Sequence, residues 1–379
     1  MPHGDTKEKV LPSAAPAPRR GESRDETTAG RLSDLDAIPA QRREPLARVL
    51  AALDSARHVV LTTHVNADGD GTGCEAALGS YLAGRGKRVT VVNPTPFPAL
   101  YRYLIPDQGW IAEAGTAAAN EALADADLIV VLDTSEPSRV GRLARALRDR
   151  AVVVIDHHPP AEGGIPGITL QDPTACATGE LVYDLLRAGG LAEPWPPSVV
   201  EGLYVAIVTD TGSFRFANTT ARAHLIAADL MRRGLDPEAV YRRIFANVPL
   251  RRIHLLRAAL ERLEVDPELP ITWISIPREV GDALGVTSED LEGIVEHARS
   301  IEGTEVALLF RELADGATKV SFRSSGEVDV NMLARAFGGG GHAKAAGALI
   351  GAPLERVREE VLAAAREAVR SLERPAQQR

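Results

Sequence analysis

Four apolar segments of this chain each lead directly into aspartate or histidine residues. The residues that follow HVVLTT, DLIVVL, AVVVI and GLYVAIVT are His64, Asp68, Asp70, Asp133, Asp156, His157, His158 and Asp210. In parallel α/β sheets, ligands bind outside the carboxyl ends of the strands. We therefore expect the four loops to converge on one crevice. The fold must place the ends of all four segments close together.

The order of the predicted elements points to such a fold. LARVLAALDSA, with Pro45 suited to its first turn, and GTGCEAALGSYLAGRG have helical patterns, and they alternate with strand-like runs. This alternation predicts a parallel α/β sheet in the first part of the chain. ITWISI, EVALLF, TKVSFR and GALI, with helical segments between and after them, predict a second, smaller α/β domain. The predicted divisions are a disordered tail over 1–40, a first domain over 41–249, a linker helix over 250–266 and a second domain over 267–379.

The composition limits the classes of function. The chain has 379 residues, of which 45% are hydrophobic and 25% charged, as in a soluble globular protein with two domains. No apolar run approaches the roughly 18 residues of a membrane span, and the start has no secretory pattern, so we expect a cytoplasmic protein without a membrane partner. The net charge of -9 argues against binding of long nucleic acids, because such surfaces accumulate Lys and Arg. Cys74 and Cys176 are too few for a disulfide framework.

The crevice predicted at the strand ends has the chemistry of a metal site. Carboxylates packed closely cannot all stay ionised without a counter-charge. A mixture of imidazole and carboxylate ligands suits Mn²⁺, Zn²⁺ or Fe better than Ca²⁺. Six candidate ligands are too many for one tetrahedral site but suit two ions about 3.5–4 Å apart, which can hold a bridging hydroxide for attack on phosphorus. Each residue alone has a simpler interpretation as a helix cap or a turn residue.

The glycines of the first motif add a second expectation. Gly69, Gly71 and Gly73 are expected to let the loop turn tightly onto the start of the next helix. The exposed N–H groups at that helix start would favour an anion.

The motifs resemble a known family. HVNADGDGTG, VLDTSEPSRVG, VIDHHP and VTDTGSF resemble, in the usual order, the four motifs of DHH phosphoesterases. SFRSSGEVDVNMLARAFGGGGHAKAAGA resembles the substrate-binding DHHA1 domain of one branch of that superfamily. The resemblance extends from about Pro45 to the final helix. The first motif departs from the family at Ala67, where proline often precedes Asp-Gly-Asp.

The resemblance implies a role for each residue of the crevice. Two Mn²⁺ ions would be bound, one by His64 and Asp68 and the other by Asp70, His157 and Asp210, with Asp133 as the bridge between them. Asp156 would orient an imidazole, and His158 would face the scissile phosphate as a proton donor or charge stabiliser.

The run of four glycines before His342 is the most informative segment of the second domain. Because each glycine loses much conformational entropy on ordering, we expect neither a helix nor a stable strand there. Its use would be close backbone approach to a ligand, with N–H groups that cradle phosphate; the alternative is a flexible loop. Arg323 offers a planar fork for phosphate oxygens. The predicted substrate-binding residues are Arg323, Ser324, Gly339, Gly340, Gly341 and His342.

These expectations combine into a function. A metal domain and a phosphate-binding domain should face each other over a cleft that holds the active site and admits only short substrates. The resemblance implies hydrolysis of short RNA (nanoRNA and dinucleotides), of adenosine 3′,5′-bisphosphate (pAp), and of cyclic di-AMP or its linear product pApA. Phe214 and Phe216 are candidates for base stacking, with core packing as the alternative.

Several alternatives stay open at this point. A manganese pyrophosphatase shares the metal motifs, and a non-catalytic nucleotide-binding protein could retain the fold. The sequence does not rank the three substrates, and it gives no cleavage polarity. It also leaves open whether the chain is a monomer or a homodimer.

Overall fold

The computed structural model describes residues 37–148, 150–160, 162–287 and 289–373. The described chain forms two compact units, of which one ends at Asn247 and the other begins at Val248. Residues 1–36 of the predicted tail lie outside the described residues, whereas Ala40 already begins a helix. Among the described residues, no helix combines the length and the apolar character needed to cross a membrane. The expected cytoplasmic location stays a prediction.

The first unit is built on a five-stranded parallel sheet with the order β2-β1-β3-β4-β5. Its strands are β1 His58–Thr62, β2 Arg88–Val91, β3 Leu128–Leu132, β4 Val152–Asp156 and β5 Ile168–Gln171. The predicted parallel α/β sheet is confirmed, and β5 extends it beyond the strands that the sequence indicated.

Both faces of this sheet are buried, as is usual for parallel strands. Side chains alternate between the two faces of a strand. Val59 and Leu61 accordingly belong to one apolar core, while Val60 belongs to a second core on the opposite face. The strands therefore appear in the sequence as continuous apolar runs rather than as alternating patterns.

Helices cover the sheet of the first unit. They are α1 Ala40–Ser55, α2 Gly69–Gly84, α3 Ala117–Asp125, α4 Thr178–Ala188, α5 Pro197–Asp210, α6 Ala221–Arg232 and α7 Pro237–Ile244. Shorter 3₁₀ segments are Ala99–Leu104, Gln108–Trp110 and Gly141–Arg145.

The first helix begins earlier than the sequence predicted. Pro45 lies inside α1 rather than in its first turn. The reason is a tertiary contact upstream of the proline. Arg42 is 2% exposed and forms ion pairs of 2.7–2.8 Å with Asp172, Glu180 and Asp184. A buried guanidinium must be paired, so these acids hold the segment before Pro45 in the helix.

The second unit is built on a mixed sheet with the order β10-β11-β9-β8-β7-β6, in which β7 and β8 are parallel and the other neighbours antiparallel. Its strands are β6 Leu263–Val265, β7 Ile271–Ile276, β8 Val306–Glu312, β9 Thr318–Ser324, β10 Gly340–His342 and β11 Ala345–Ile350. Its helices are α8 Leu250–Leu260, α9 Arg278–Leu284, α10 Ile294–Arg299, α11 Val330–Ala336 and α12 Leu354–Glu373, with a 3₁₀ segment at Glu289–Leu291.

Three of these elements were not expected. β6 and α9 have no counterpart in the sequence prediction, and β10 lies in the glycine run, where no strand was expected. Within the predicted linker over 250–266, helix α8 buries Leu255 and Ala259 in a core that also contains Ile274 of β7. The domain boundaries, and an active site between the two domains, stay predictions.

Candidate metal centre

The strand order of the first unit explains how distant residues come together. β1 lies between β2 and β3, so the chain changes its direction of travel across the sheet at the β1–β3 boundary. Ligands bind at such switch points. His64 follows β1, Asp133 follows β3, His157 follows β4, and Asp210 is the last residue of α5. The structure brings these residues close together, as expected.

Three side chains form a first group of potential ligands, which we call group A: His64, Asp68 and Asp133. Nε2 of His64 lies 3.3 Å from Oδ2 of Asp133 and 3.6 Å from Oδ2 of Asp68. Nδ1 of His64 lies 2.9 Å from the carbonyl oxygen of Val65, which fixes the ring. Because Nδ1 donates to that carbonyl in the neutral ring, Nε2 is left as the ligand atom.

The second group, group B, consists of Asp70, His157 and Asp210. Nε2 of His157 lies 3.6 Å from Oδ2 of Asp210 and 3.9 Å from Oδ2 of Asp70. Asp133 is close to this group as well, because its Oδ1 lies 3.6 Å from Nε2 of His157. The two oxygens of Asp133 thus face different groups.

The backbone at Asp133 is in an unusual conformation. Its φ of 62° lies in the left-handed region, which non-glycine residues rarely adopt. Its N–H donates to the carbonyl of Ile155 at 2.9 Å, so pairing with β4 continues through this residue. The left-handed turn directs the carboxylate across the end of the sheet. Strain of this kind is often found at functional sites.

The distances fit coordination of metal ions. Nε2 of His64 and Nε2 of His157 are buried and have no hydrogen-bond partner among the described residues. Two ligands that each lie about 2.1 Å from a shared ion are about 3.0–3.5 Å apart, close to the 3.3–3.9 Å measured between these nitrogens and the carboxylates. Groups A and B could therefore each hold a metal ion.

The shifted pKa values of the acidic residues and His64 also indicate that the centre lacks a positive charge. Burial, followed by repulsion from Asp133 and Asp210, raises the pKa of Asp70 well above its usual range. Burial and the charge of Asp133 raise the pKa of Asp210 to about 6, against the attraction of His157. Burial lowers the pKa of His64, but hydrogen bonds with Asp133 and Asp68 outweigh it and raise that pKa to about 10. A divalent cation would replace the missing positive charge.

His158 pairs with the carboxylate of Asp156, and it also forms a third group of potential ligands with Asp133 and His157. Oδ1 of Asp156 lies 2.8 Å from Nδ1 of His158 and accepts a second bond, of 3.0 Å, from the His158 backbone N–H. Gln171 supports this pair, because its amide donates to the carbonyl oxygen of His158 at 2.9 Å and approaches Oδ2 of Asp156 at 3.4 Å. Nδ1 of His158 is also 3.7 Å from Oδ1 of Asp133, so the ring borders the centre.

The three glycines of the first motif have a different role from the expected one. All three lie within α2 rather than in a loop before it. A Cβ atom on Gly69 or Gly71 would lie about 2.5 Å from the side chain of Thr209 or Thr63, and one on Gly73 would lie 2.3 Å from the Gly202 carbonyl oxygen. The glycines therefore permit close packing of α2. The N–H groups at the helix start are capped internally, since Asp68 accepts from Asp70 and Gly71.

Several residues that support the ligands were missed by the sequence prediction. Thr178 and Gly179, at the start of α4, donate to Asp70. Asn218 donates to Oδ2 of Asp210 at 2.9 Å. The only available signal was Thr-Gly-Glu after a loop, which is typical of a helix start and does not single out a metal site.

The two phenylalanines after Asp210 differ from each other. Phe214 packs against the first core and stacks on His224 with a centroid distance of 4.8 Å. Phe216 is 44% exposed, and its ring covers Gly212. Core packing therefore accounts for Phe214, whereas base stacking stays a prediction for Phe216.

In the second unit, Arg323 and His342 lie on one row of the sheet. Ala345 of β11 pairs with His342 on one side and with Arg323 on the other. Residues paired across strands share a face, so both side chains lie on the same face. Arg323 already donates from Nε to Glu296 at 2.8 Å, and a phosphate would have to compete with this ion pair.

Ser324 does not share that face. It follows Arg323 in β9, and successive side chains of a strand point in opposite directions. Ser324 is 1% exposed, and its hydroxyl has no hydrogen-bond partner among the described residues. The structure therefore does not support the predicted contribution of Ser324 beside Arg323.

The expectation that the glycine run forms no strand is wrong. Gly340–His342 is the short strand β10, paired with β11. Gly338, with φ of 75°, ends α11, where its N–H donates to Arg335. A Cβ atom on Gly339 or Gly341 would lie 2.1–2.5 Å from carbonyl oxygens of β11, so their close backbone approach is to that strand. Within this run, a Cβ atom would meet open space at Gly338 and at Gly340.

Comparison with known proteins decides the family. Residues 58–207 match the DHH family, N-terminal domain, and residues 278–371 match the DHHA1 domain. The bifunctional oligoribonuclease and PAP phosphatase NrnA of Thermus thermophilus is 31% identical over 85% of this chain and 93% of its own length. The chain belongs to the DHH family.

Two further similarities agree with membership of the DHH family. The cyclic-di-AMP phosphodiesterase GdpP of Geobacillus thermodenitrificans is 28% identical over 59% of this chain, which corresponds to 33% of its own length. The crystal structure of an exopolyphosphatase-related protein from Bacteroides fragilis matches with a TM-score of 0.79 and 26% identity, over 86% of this chain and 96% of that protein. The predicted family, its DHH and DHHA1 architecture and the phosphoesterase class are confirmed.

Proposed function

We propose that this DHH-family protein hydrolyses short oligoribonucleotides, pAp and cyclic di-AMP or pApA, and that it depends on two divalent metal ions, Mn²⁺ by preference. The observation that carries the proposal is the placement of Asp133. One of its oxygens faces group A at 3.3 Å from His64, and the other faces group B at 3.6 Å from His157. A carboxylate between two ligand groups is what a bridged pair of ions needs.

The metal ligands in this proposal are the six side chains of groups A and B. Ions bound there would polarise the phosphoryl group and activate water for in-line attack. Mn²⁺ is proposed because the donor set combines imidazole nitrogens with several carboxylates.

His158 is the proposed proton donor. The bond to Asp156 ties up Nδ1, so Nε2 is the ring atom from which we propose that a proton passes to the leaving oxygen. Burial lowers the pKa of His158, but the hydrogen bond that its Nδ1 donates to Asp156 outweighs burial, and the pKa is raised from the usual 6.5. This shift favours the protonated form, which suits an acid.

Substrate recognition is proposed for the exposed face that carries Arg323 and His342. An arginine fork binds a phosphate through two parallel hydrogen bonds. Ala345 lies between these two residues in the sheet, so only a small side chain separates them. Gly340, two residues before His342, has open space around it and would allow a ligand to approach the backbone there.

The deciding experiment is a side-by-side assay of the purified protein. Chelator-treated protein should be inactive on pAp, an RNA dinucleotide and cyclic di-AMP, and added Mn²⁺ should restore hydrolysis. Asp133→Asn serves as the inactive control for a contaminating phosphatase. Hydrolysis that ignores the chelator would rule out the metal mechanism. Activity on inorganic pyrophosphate alone would replace the proposed substrates.

A further inference from the structure

Thr178 makes two different bonds to the proposed metal ligands. Its hydroxyl donates to Oδ1 of Asp133 at 3.0 Å, and its backbone N–H donates to Oδ2 of Asp70 at 2.7 Å. The next N–H, of Gly179, donates to Oδ1 of Asp70 at 2.9 Å. The start of α4 therefore donates hydrogen bonds to both carboxylate oxygens of Asp70 and to one of Asp133.

The oxygen of Asp133 that Thr178 contacts is the one that faces group B. Oδ1 lies 3.6 Å from Nε2 of His157, whereas Oδ2 lies 3.3 Å from Nε2 of His64 in group A. A carboxylate can rotate about its Cβ–Cγ bond, and that torsion is broad. A donor fixed on one oxygen removes this freedom and assigns each oxygen to one group.

The position of Thr178 suits such a role. It is fully buried, at 0% exposure, so its hydroxyl has no bulk water to exchange with. The N–H groups at the start of the 11-residue helix α4 also stabilise negative charge on Asp70. Gly179 allows the approach, because a Cβ atom there would lie 2.5 Å from Ala206 of α5.

We propose that Thr178 is a positioning residue that orients Asp133 toward group B and thereby controls binding of the second metal ion. The inference rests on the two-metal site of the proposed function. Residues that hydrogen-bond to ligands typically change metal affinity by roughly 10- to 100-fold when they are replaced. Group A keeps its own oxygen of Asp133, so the first ion should be affected much less.

The test measures Mn²⁺ binding directly, by calorimetry and by the electron paramagnetic resonance signal of an exchange-coupled Mn²⁺ pair. Wild type should bind two ions and show the coupled signal. Thr178→Val, which replaces the hydroxyl with a methyl group of similar size, should bind one ion as wild type does and the second about 10- to 100-fold more weakly. Thr178→Ser, which retains the donor, should restore both the affinity and the coupled signal.

A matched control separates this role from a general loss of stability. Thr272 is also 0% exposed, and its hydroxyl donates to the carbonyl of Ala298 at 3.0 Å in the second unit. Thr272→Val should lower the melting temperature to a similar extent but bind two ions as wild type does. If Thr178→Val does not fold, Thr178→Ala removes the same donor from a smaller side chain.

The outcomes distinguish two kinds of failure. Two ions bound with wild-type affinity by Thr178→Val or Thr178→Ala would overturn the inference and leave the metal site intact. Equal weakening of both ions would also overturn it, because group A would then depend on Thr178. A wild-type protein that binds fewer than two ions would remove the two-metal site itself.

Discussion

Oδ1 of Asp156 accepts two hydrogen bonds from His158, one of 2.8 Å from the ring Nδ1 and one of 3.0 Å from the backbone N–H. Asp156 is completely buried, and its pKa is nevertheless lowered, because these bonds outweigh the effect of burial. The ionised carboxylate can only accept, so Nδ1 of His158 must carry a proton. The tautomer and the direction of the ring are therefore set by one residue.

Replacement of His158 by Gln should separate catalysis from metal binding. We expect kcat to fall by about 10²- to 10⁴-fold, the usual contribution of a general acid, while two Mn²⁺ ions remain bound. Single-turnover rates and calorimetry on the same preparation measure both quantities. Loss of one ion would instead make His158 a ligand beside Asp133, from which it is 3.7 Å away.

Asp133→Asn should have the largest effect of any single ligand. An amide offers only one acceptor oxygen where the carboxylate offers two, so groups A and B cannot both be served. We expect turnover to fall by several orders of magnitude and the second ion to be lost. Asp107→Asn, an exposed aspartate that caps a 3₁₀ turn, is the control. Near-normal turnover of the Asp133 variant would take this residue out of the bridge.

Arg323→Ala should weaken substrate binding without changing the chemistry. We expect KM for pAp to rise while kcat and Mn²⁺ binding stay within about twofold of wild type. Lys319→Ala, at an exposed position of the same strand, should leave KM unchanged. An equal KM in the two variants would remove Arg323 from substrate recognition.

The partner of Arg323 offers an independent test. Glu296 accepts from Nε of Arg323 at 2.8 Å and also pairs with Arg299. Glu296→Gln weakens this competing ion pair, so we expect KM for pAp to fall or stay equal. Initial-rate measurements over a range of pAp concentrations decide this. A marked rise in KM would mean that the ion pair holds Arg323 in its binding orientation.

Buried Glu75 should make the stability of the protein depend on pH. Burial raises the pKa of Glu75 from its usual 4.5 to about 8, although a hydrogen bond from Asn93 acts in the opposite direction. In the unfolded chain Glu75 ionises near pH 4.5, so unfolding releases a proton between that pH and about 8. The contribution of Glu75 to stability is therefore greatest at low pH and decreases as the pH rises through this window.

Glu75→Gln is the neutral counterpart for this test. At pH 5 the variant should unfold at nearly the wild-type temperature. At pH 8 it should unfold at a higher temperature than wild type, with a free energy of unfolding that is larger by about a few kcal/mol. Thermal unfolding in the presence of a chelator at the two pH values measures it. A difference between the proteins that is the same at both pH values would contradict the assignment.

The sequence determined the residue types of the centre and the fold that brings them together. Asp133 directly follows one apolar run and His157 follows another after Asp156, and a parallel sheet must place the ends of such runs at one edge. These properties are local in the sequence, so patterning and connectivity were sufficient to predict them. The same logic gave the wrong result for the glycine run before His342, because pairing with β11 outweighed the entropic cost of ordering glycine.

Only the tertiary structure decided how the ligands are held. That Thr178 contacts Asp133 depends on the packing of α4 against residues 45 positions earlier in the chain. The ion pairs of Arg42 with Asp172, Glu180 and Asp184 likewise join segments that are distant in the chain. Hydrogen bonds between distant segments leave no periodic pattern in the sequence, so orientation within the site could not be predicted from it, whereas the identity of the ligands could.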